Sequence, residues 1–128
     1  MAENALTENV LAVELDRLWR VGLVPVVRAP NAEEALAACR ALVQGGLSGL
    51  EVTMTVPGAH EVIATLRKDF GDRVLVGAGT VTSVSALEAC LRAGAQFIVT
   101  PICLPELVAP AHEARPLRKE HVHFRRVR

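Results

Sequence analysis

No apolar run in this chain approaches the roughly 20 residues that a membrane-spanning helix needs, so no membrane partner is expected. The first twenty residues, "MAENALTENVLAVELDRLWR", are acidic. They lack the basic start and apolar centre of a secretory signal. The three cysteines, Cys39, Cys90 and Cys103, are scattered and form no CxxC pair or Cys/His ligand set. Two of them fall on apolar helix faces, as small buried thiols do, and the compartment reads as reducing and cytoplasmic. The histidines lack metal-ligand spacing too: His121 and His123 form an HxH pair with no third partner, while His60 and His112 fall in helical stretches. Neither a metal nor a cofactor is expected.

Net charge is also missing, but the zero conceals an asymmetry. Residues 1–114 hold eight Lys/Arg against thirteen Asp/Glu, whereas "RPLRKEHVHFRRVR" (115–128) holds six against one. So sharp a break marks a boundary. The basic stretch has no aromatic residue besides Phe124 and no nucleic-acid-binding module behind it. It is expected to be a disordered or foreign tail, with no nucleic-acid partner, behind a single domain over 1–114.

What is present is a repeat. Apolar, β-branched runs at "GLVPVVRA" (22–29), "LEVTMT" (50–55), "RVLVGAGT" (73–80) and "QFIVTP" (96–101) alternate with amphipathic stretches. The stretches predict helices over 30–46, 58–70 and 83–94, and the start of another at 104–114. Asn31 with Glu34 has capping-box spacing, Ser83 or Ser85 caps the third helix, and Gly45 and Gly94 stop their helices. Ala35, Leu36, Cys39, Leu42 and Val43 line one helical face; Val62, Ile63, Leu66 and Phe70 line the next. A leading helix near 5–20, apolar at Leu11, Leu15, Leu18 and Trp19, is expected to close one end of the core. Strands apolar on both faces and alternating with helices imply an α/β fold with a parallel sheet. The repeat of about 25 residues suits a TIM-type (β/α)8 barrel, with about four of eight units present, a half barrel. A small open doubly wound sheet is the alternative.

In either architecture chemistry sits at the carboxyl ends of the strands. Arg28, Glu51 with Thr53 and Thr55, the run Gly77-Ala78-Gly79-Thr80, and Thr100-Pro101 mark those ends. Glycines in GAGT could simply let the strand turn into its helix, and Arg28 could be a surface residue. Glu51 is the notable one, because desolvating a carboxylate in an apolar strand is costly. A cleft that raises its pKa suits a proton shuttle.

In series and at these spacings, "VPVVRA", "GGLSGLEVTMTVPGA", "VGAGTV" and "AGAQFIVTP" resemble the class I aldolases that cleave 2-keto-3-deoxy-6-phosphogluconate and 4-hydroxy-2-oxoglutarate. The resemblance covers roughly residues 10–113. It implies a (β/α)8 barrel, usually trimeric, a small oxoacid or sugar-acid phosphate substrate, and a lysine Schiff base. Glu51 looks like the family's general acid/base, while Thr80 and Pro101 match positions that line the pyruvate pocket. Many members carry an arginine just after the second strand, as in LEVTLRT, where this chain has Thr55. Others carry it at the end of the first strand, which matches Arg28, the candidate contact for the substrate carboxylate.

The family's Schiff-base lysine lies on its sixth strand, in a KxFP-type run. Here the only lysines are Lys68, on the second helix, and Lys119, in the basic tail. Members continue with a "GIPVIPG"-like strand where this chain reads "RPLRKEHVHFRRVR", a switch such as an out-of-frame continuation of a GC-rich gene would give. The expectation is therefore a lyase-family chain without its nucleophile, inactive by itself. A non-catalytic half barrel that binds an oxoacid, or self-associates through an open strand edge at 22–29 or 96–101, is the alternative. A phosphate-handling epimerase or thiamine-phosphate synthase relative is disfavoured by LEVT together with GAGT.

Overall fold

The computed structural model describes residues 16–113 and 124–126. Helix α1 is described over 16–21, followed by β1 (Val26–Val27), α2 (Ala32–Gln44), β2 (Gly49–Thr53) and α3 (Ala59–Phe70). Then come β3 (Leu75–Gly79), α4 (Val84–Ala93), β4 (Ile98–Thr100), α5 (Val108–Glu113) and β5 (Phe124–Arg126). A 3-10 turn, Pro105–Leu107, leads into α5.

The helices form where their caps place them. Asn31 accepts a hydrogen bond from the Glu34 N–H at 2.9 Å and donates from its amide to the Glu34 carboxylate at 3.1 Å, which satisfies part of the open first turn of α2. Ser83, not Ser85, caps α4, accepting from the Ala86 N–H at 3.1 Å. Gly94 closes α4 with a left-handed backbone. Gly45 closes α2 as its C-cap, as expected, and the left-handed residue is Gly46 just after it.

All strands are parallel and stand in chain order, β1-β2-β3-β4-β5. A doubly wound sheet reverses its strand order at a switch point; this one adds each strand on the same side of the last, as a barrel does. Val27, Leu50, Val52, Val76, Ala78 and Ile98 join one core with Ala35 and Cys39 of α2, Ile63 and Leu66 of α3, Leu87 and Cys90 of α4, and Ala111 of α5. The helices therefore make a single layer on one face. Leu75 and Phe97 are also buried, yet stand outside that core. By strand alternation they belong to the opposite, inner face with Val26, Glu51, Thr53, Gly77, Gly79 and Val99. The result is a barrel opened along its side, a half barrel with an inner face of its own.

Three expectations change. Strand β1 is only two residues long, although the ladder reaches back to Pro25, whose carbonyl accepts from the Glu51 N–H at 3.0 Å. Trp19, expected inward, is 82 % exposed. Val21 packs on the sheet instead, close against the bare Cα of Gly49; Leu11 and Leu15 lie outside the described residues. The edge expected open at 96–101 carries a strand, since Ile98, Val99 and Thr100 pair with Phe124, Arg125 and Arg126. Those three residues belong to the basic stretch; the rest of 115–128 lies outside the described residues.

Candidate active site

Register brings the inner-face residues into rows. Val26 pairs with Glu51, and Glu51 with Gly77. One step on, Thr53 pairs with Gly79, and the Val27–Val52 pairing sets Arg28 level with Thr53. Three of the four expected site residues stand just past the ends of their strands, and Glu51 lies in the middle of β2. Arg28 stands exposed just past β1, Glu51 half-buried in β2, Thr80 half-buried just past β3, and Pro101 exposed just past β4.

The Glu51 side chain does not point straight off the sheet but crosses to β3. A methyl group on Gly79 would fall 2.8 Å from its Cδ and 3.0 Å from its Cγ, with the carboxylate Oε1 nearer still. From the other side the Phe97 ring covers Gly77, where a Cβ would collide with three ring carbons. The carboxyl and the aromatic ring thus lie over neighbouring glycines of one strand. Sequence reading found Glu51 but missed Phe97 and treated the glycines as turn formers. The signal was available: in "LVGAG" every second residue from Leu75 onward faces inward, and two of the three are glycine.

Hydroxyl groups line the rim. Thr53 is fully buried; its Oγ1 lies 2.7 Å from that of Thr55 and donates to the Val27 carbonyl at 3.4 Å. Thr100 donates to the Ile102 carbonyl at 2.6 Å, which fixes the turn that presents Pro101. Thr80 holds a left-handed backbone, φ 58°, rare for a β-branched residue.

Other features lie elsewhere. Lys68 is exposed on α3, in the helical layer. Burial pushes the Cys39 and Cys90 thiols up to about 11, so both stay protonated near neutrality, and Cys90 donates to the Met54 sulfur at 3.3 Å. Cys103 is exposed. A cleft lined by Arg17, Val21, Ser48, Arg73 and Leu75 opens where the strands begin, at the far end of the sheet from Glu51. Among the described residues no three His, Cys, Asp or Glu side chains gather as a metal-binding group, and no helix is long and apolar enough to cross a membrane.

The comparisons with known proteins agree on one family. A family model for KDPG and KHG aldolase matches residues 15–116. The 2-dehydro-3-deoxy-phosphogluconate aldolase of Treponema pallidum is 43% identical over 94 residues, which is 73% of this chain and 44% of that protein. The KHG/KDPG aldolase of Escherichia coli is 36% identical over 91 residues, 71% of this chain and 42% of its own length. Among solved structures, a KDPG aldolase from Legionella pneumophila with pyruvate captured as a covalent carbinolamine superposes with a TM-score of 0.65. It is 31% identical, over 77% of this chain and 46% of that one. The chain therefore spans less than half the length of the relatives it matches. Parallel strands in barrel order, a carboxylate reaching toward the end of β3 and these matches agree: the chain belongs to the KDPG and KHG aldolase family.

Proposed function

We propose that this chain carries the proton-transfer and oxoacid-recognition half of a class I aldolase site. The observation that carries the reading is the Glu51 carboxyl, held half-buried over Gly79 on the inner face. The reaction it fits is cleavage of 2-keto-3-deoxy-6-phosphogluconate to pyruvate and glyceraldehyde 3-phosphate, or of 4-hydroxy-2-oxoglutarate to pyruvate and glyoxylate. In that chemistry a lysine amine adds to the keto carbon, water leaves, and the iminium accepts the electron pair released when the carbon–carbon bond breaks. Glu51 moves the protons: onto the departing hydroxyl of the carbinolamine, and off the substrate hydroxyl as the bond cleaves. Arg28 holds the substrate carboxylate, and Thr80 and Pro101 wall the pyruvate end.

The nucleophile is the part this sequence does not provide. Lys68 is exposed in the helical layer, and Lys119 lies outside the described residues. By itself the chain then binds an oxoacid without forming a Schiff base. The same reading takes 1–114 as the half barrel, with 115–128 appended to it, and places the protein in the cytoplasm as a homo-oligomer.

Incubation with pyruvate, reduction with borohydride and intact-mass measurement test this. The expected result is saturable pyruvate binding, weakened at least tenfold by Arg28→Ala (a lost charge-assisted pair costs about 1.5–3 kcal/mol), with no added mass. A reduced adduct on Lys68 or Lys119 would overturn the assignment of a missing nucleophile. No saturable binding would overturn the oxoacid reading.

A further inference from the structure

Gly79 stands at the end of β3 in a run, GAGT, whose glycines are most simply explained by the turn that follows. The backbone does not bear that out. Of the nine glycines in the chain, those with positive φ are Gly22, Gly46, Gly58, Gly71 and Gly94, and Gly79 is not among them. Its backbone is one that any residue adopts. The strained position of this turn is the next one, and there the chain places Thr80, at φ 58°. Glycine therefore occupies the position that does not need its conformational freedom, and a β-branched residue the position that would use it.

Space accounts for the inversion. Gly79 is buried, and the group that would meet its Cβ is the end of the Glu51 side chain: Oε1, Cδ and Cγ in that order. Real Cβ atoms essentially never come within 3.0 Å of another heavy atom in this way. A side chain at this position would drive the carboxyl off β3 and out of its present place on the inner face. We propose that Gly79 is the positioning residue for Glu51, and that its missing side chain is the seat on which the carboxyl lies. Gly77 repeats the device for the Phe97 ring. The functional meaning rests on Glu51 being the proton carrier; the steric claim does not.

A double-mutant cycle between Gly79→Ala and Glu51→Ala tests it, read by thermal unfolding of the whole chain and by carbon-detected NMR titration of the Glu51 carboxyl. The expected result is a larger drop in unfolding midpoint for Gly79→Ala alone than in the Glu51→Ala background, since the clash is with the end of the Glu51 side chain and disappears with it. A shifted Glu51 titration midpoint in Gly79→Ala should accompany it, which a purely structural role for the glycine would not produce. If Gly79→Ala alone fails to fold, recovery of folding in the double variant supports the proposal, and failure of both overturns it. Equal losses in the two backgrounds, or a Glu51 titration identical to wild type, would also overturn it. None of these readouts involves pyruvate, so failure of the oxoacid reading and failure of this one are separate results.

Discussion

At the scale of the residue, the chain is unusually quiet at alkaline pH. It has no tyrosine and two lysines, Lys68 and Lys119, so between pH 9 and 11 few groups besides its cysteine thiols titrate. Cys39 and Cys90 are raised by burial from 9.0 to about 11. Across that window the unfolded chain gives up thiol protons that the folded chain retains, and unfolding is favoured as pH rises. Stability contributed by the protonated thiols is complete below pH 9 and is lost progressively toward pH 11. Urea unfolding at pH 8 and pH 10.5 should show a lower midpoint at the higher pH, and the difference should shrink in a Cys39→Ala, Cys90→Ala variant. The burial of both cysteines was legible in the sequence because helical periodicity places them on apolar faces. The crossing of Glu51 onto β3 was not, since a one-dimensional pattern gives the face of a strand but not the direction in which a long side chain leans.

At the scale of the element, caps and stop signals were the most legible features, and strand lengths the least. Asn31, Ser83 and Gly94 act where local chemistry puts them, whereas β1 shrinks to two residues and β4 to three. Part of the missing ladder is supplied by a side chain. The Gln96 N–H donates to the Val76 carbonyl at 2.8 Å, and its amide Oε1 accepts from the Val76 N–H at 2.9 Å. One glutamine thus satisfies both backbone groups of a buried β3 residue at the start of β4. Replacing it with the similarly shaped Met removes the acceptor and leaves a buried N–H without it, a cost of about 1–3 kcal/mol. Because Met also removes the buried Gln96 Nε2, which has no hydrogen-bond partner among the described residues, Gln96→Met should lower the unfolding free energy by less than that amount in chemical denaturation, and the Val76 amide should lose hydrogen-exchange protection before its β3 neighbours. No propensity scale marks Gln96 for this role, because the role depends on the register between two strands.

At the scale of the whole molecule, the strand order was decided by structure, while the repeat that generates it was visible in sequence. Four strand–helix units of near-constant length pointed to a barrel or an open sheet alike; sequential order with one helical layer selects the barrel. The pairing of Phe124–Arg126 with β4 was beyond reach, since "FRR" carries no strand pattern of its own. Deleting 115–128 removes that partner and bares the N–H and C=O groups on the outer side of β4. Such an edge invites pairing with another chain. The truncated protein should elute earlier and more broadly on size exclusion, with an unfolding midpoint below that of the full chain; identical elution and midpoint would mean that β5 protects nothing.

The β4–β5 ladder also bears on how the fold tolerates change in sequence. Its bonds join main chain to main chain, so they place few demands on side-chain identity, and a tethered strand meets its edge at an effective concentration in the millimolar range. A segment of ordinary sequence such as Phe124–Arg126 can therefore occupy that slot. At the outer edge of β4 the sheet is thus extended by generic backbone pairing, which fixes the path of the chain while asking little of side-chain chemistry.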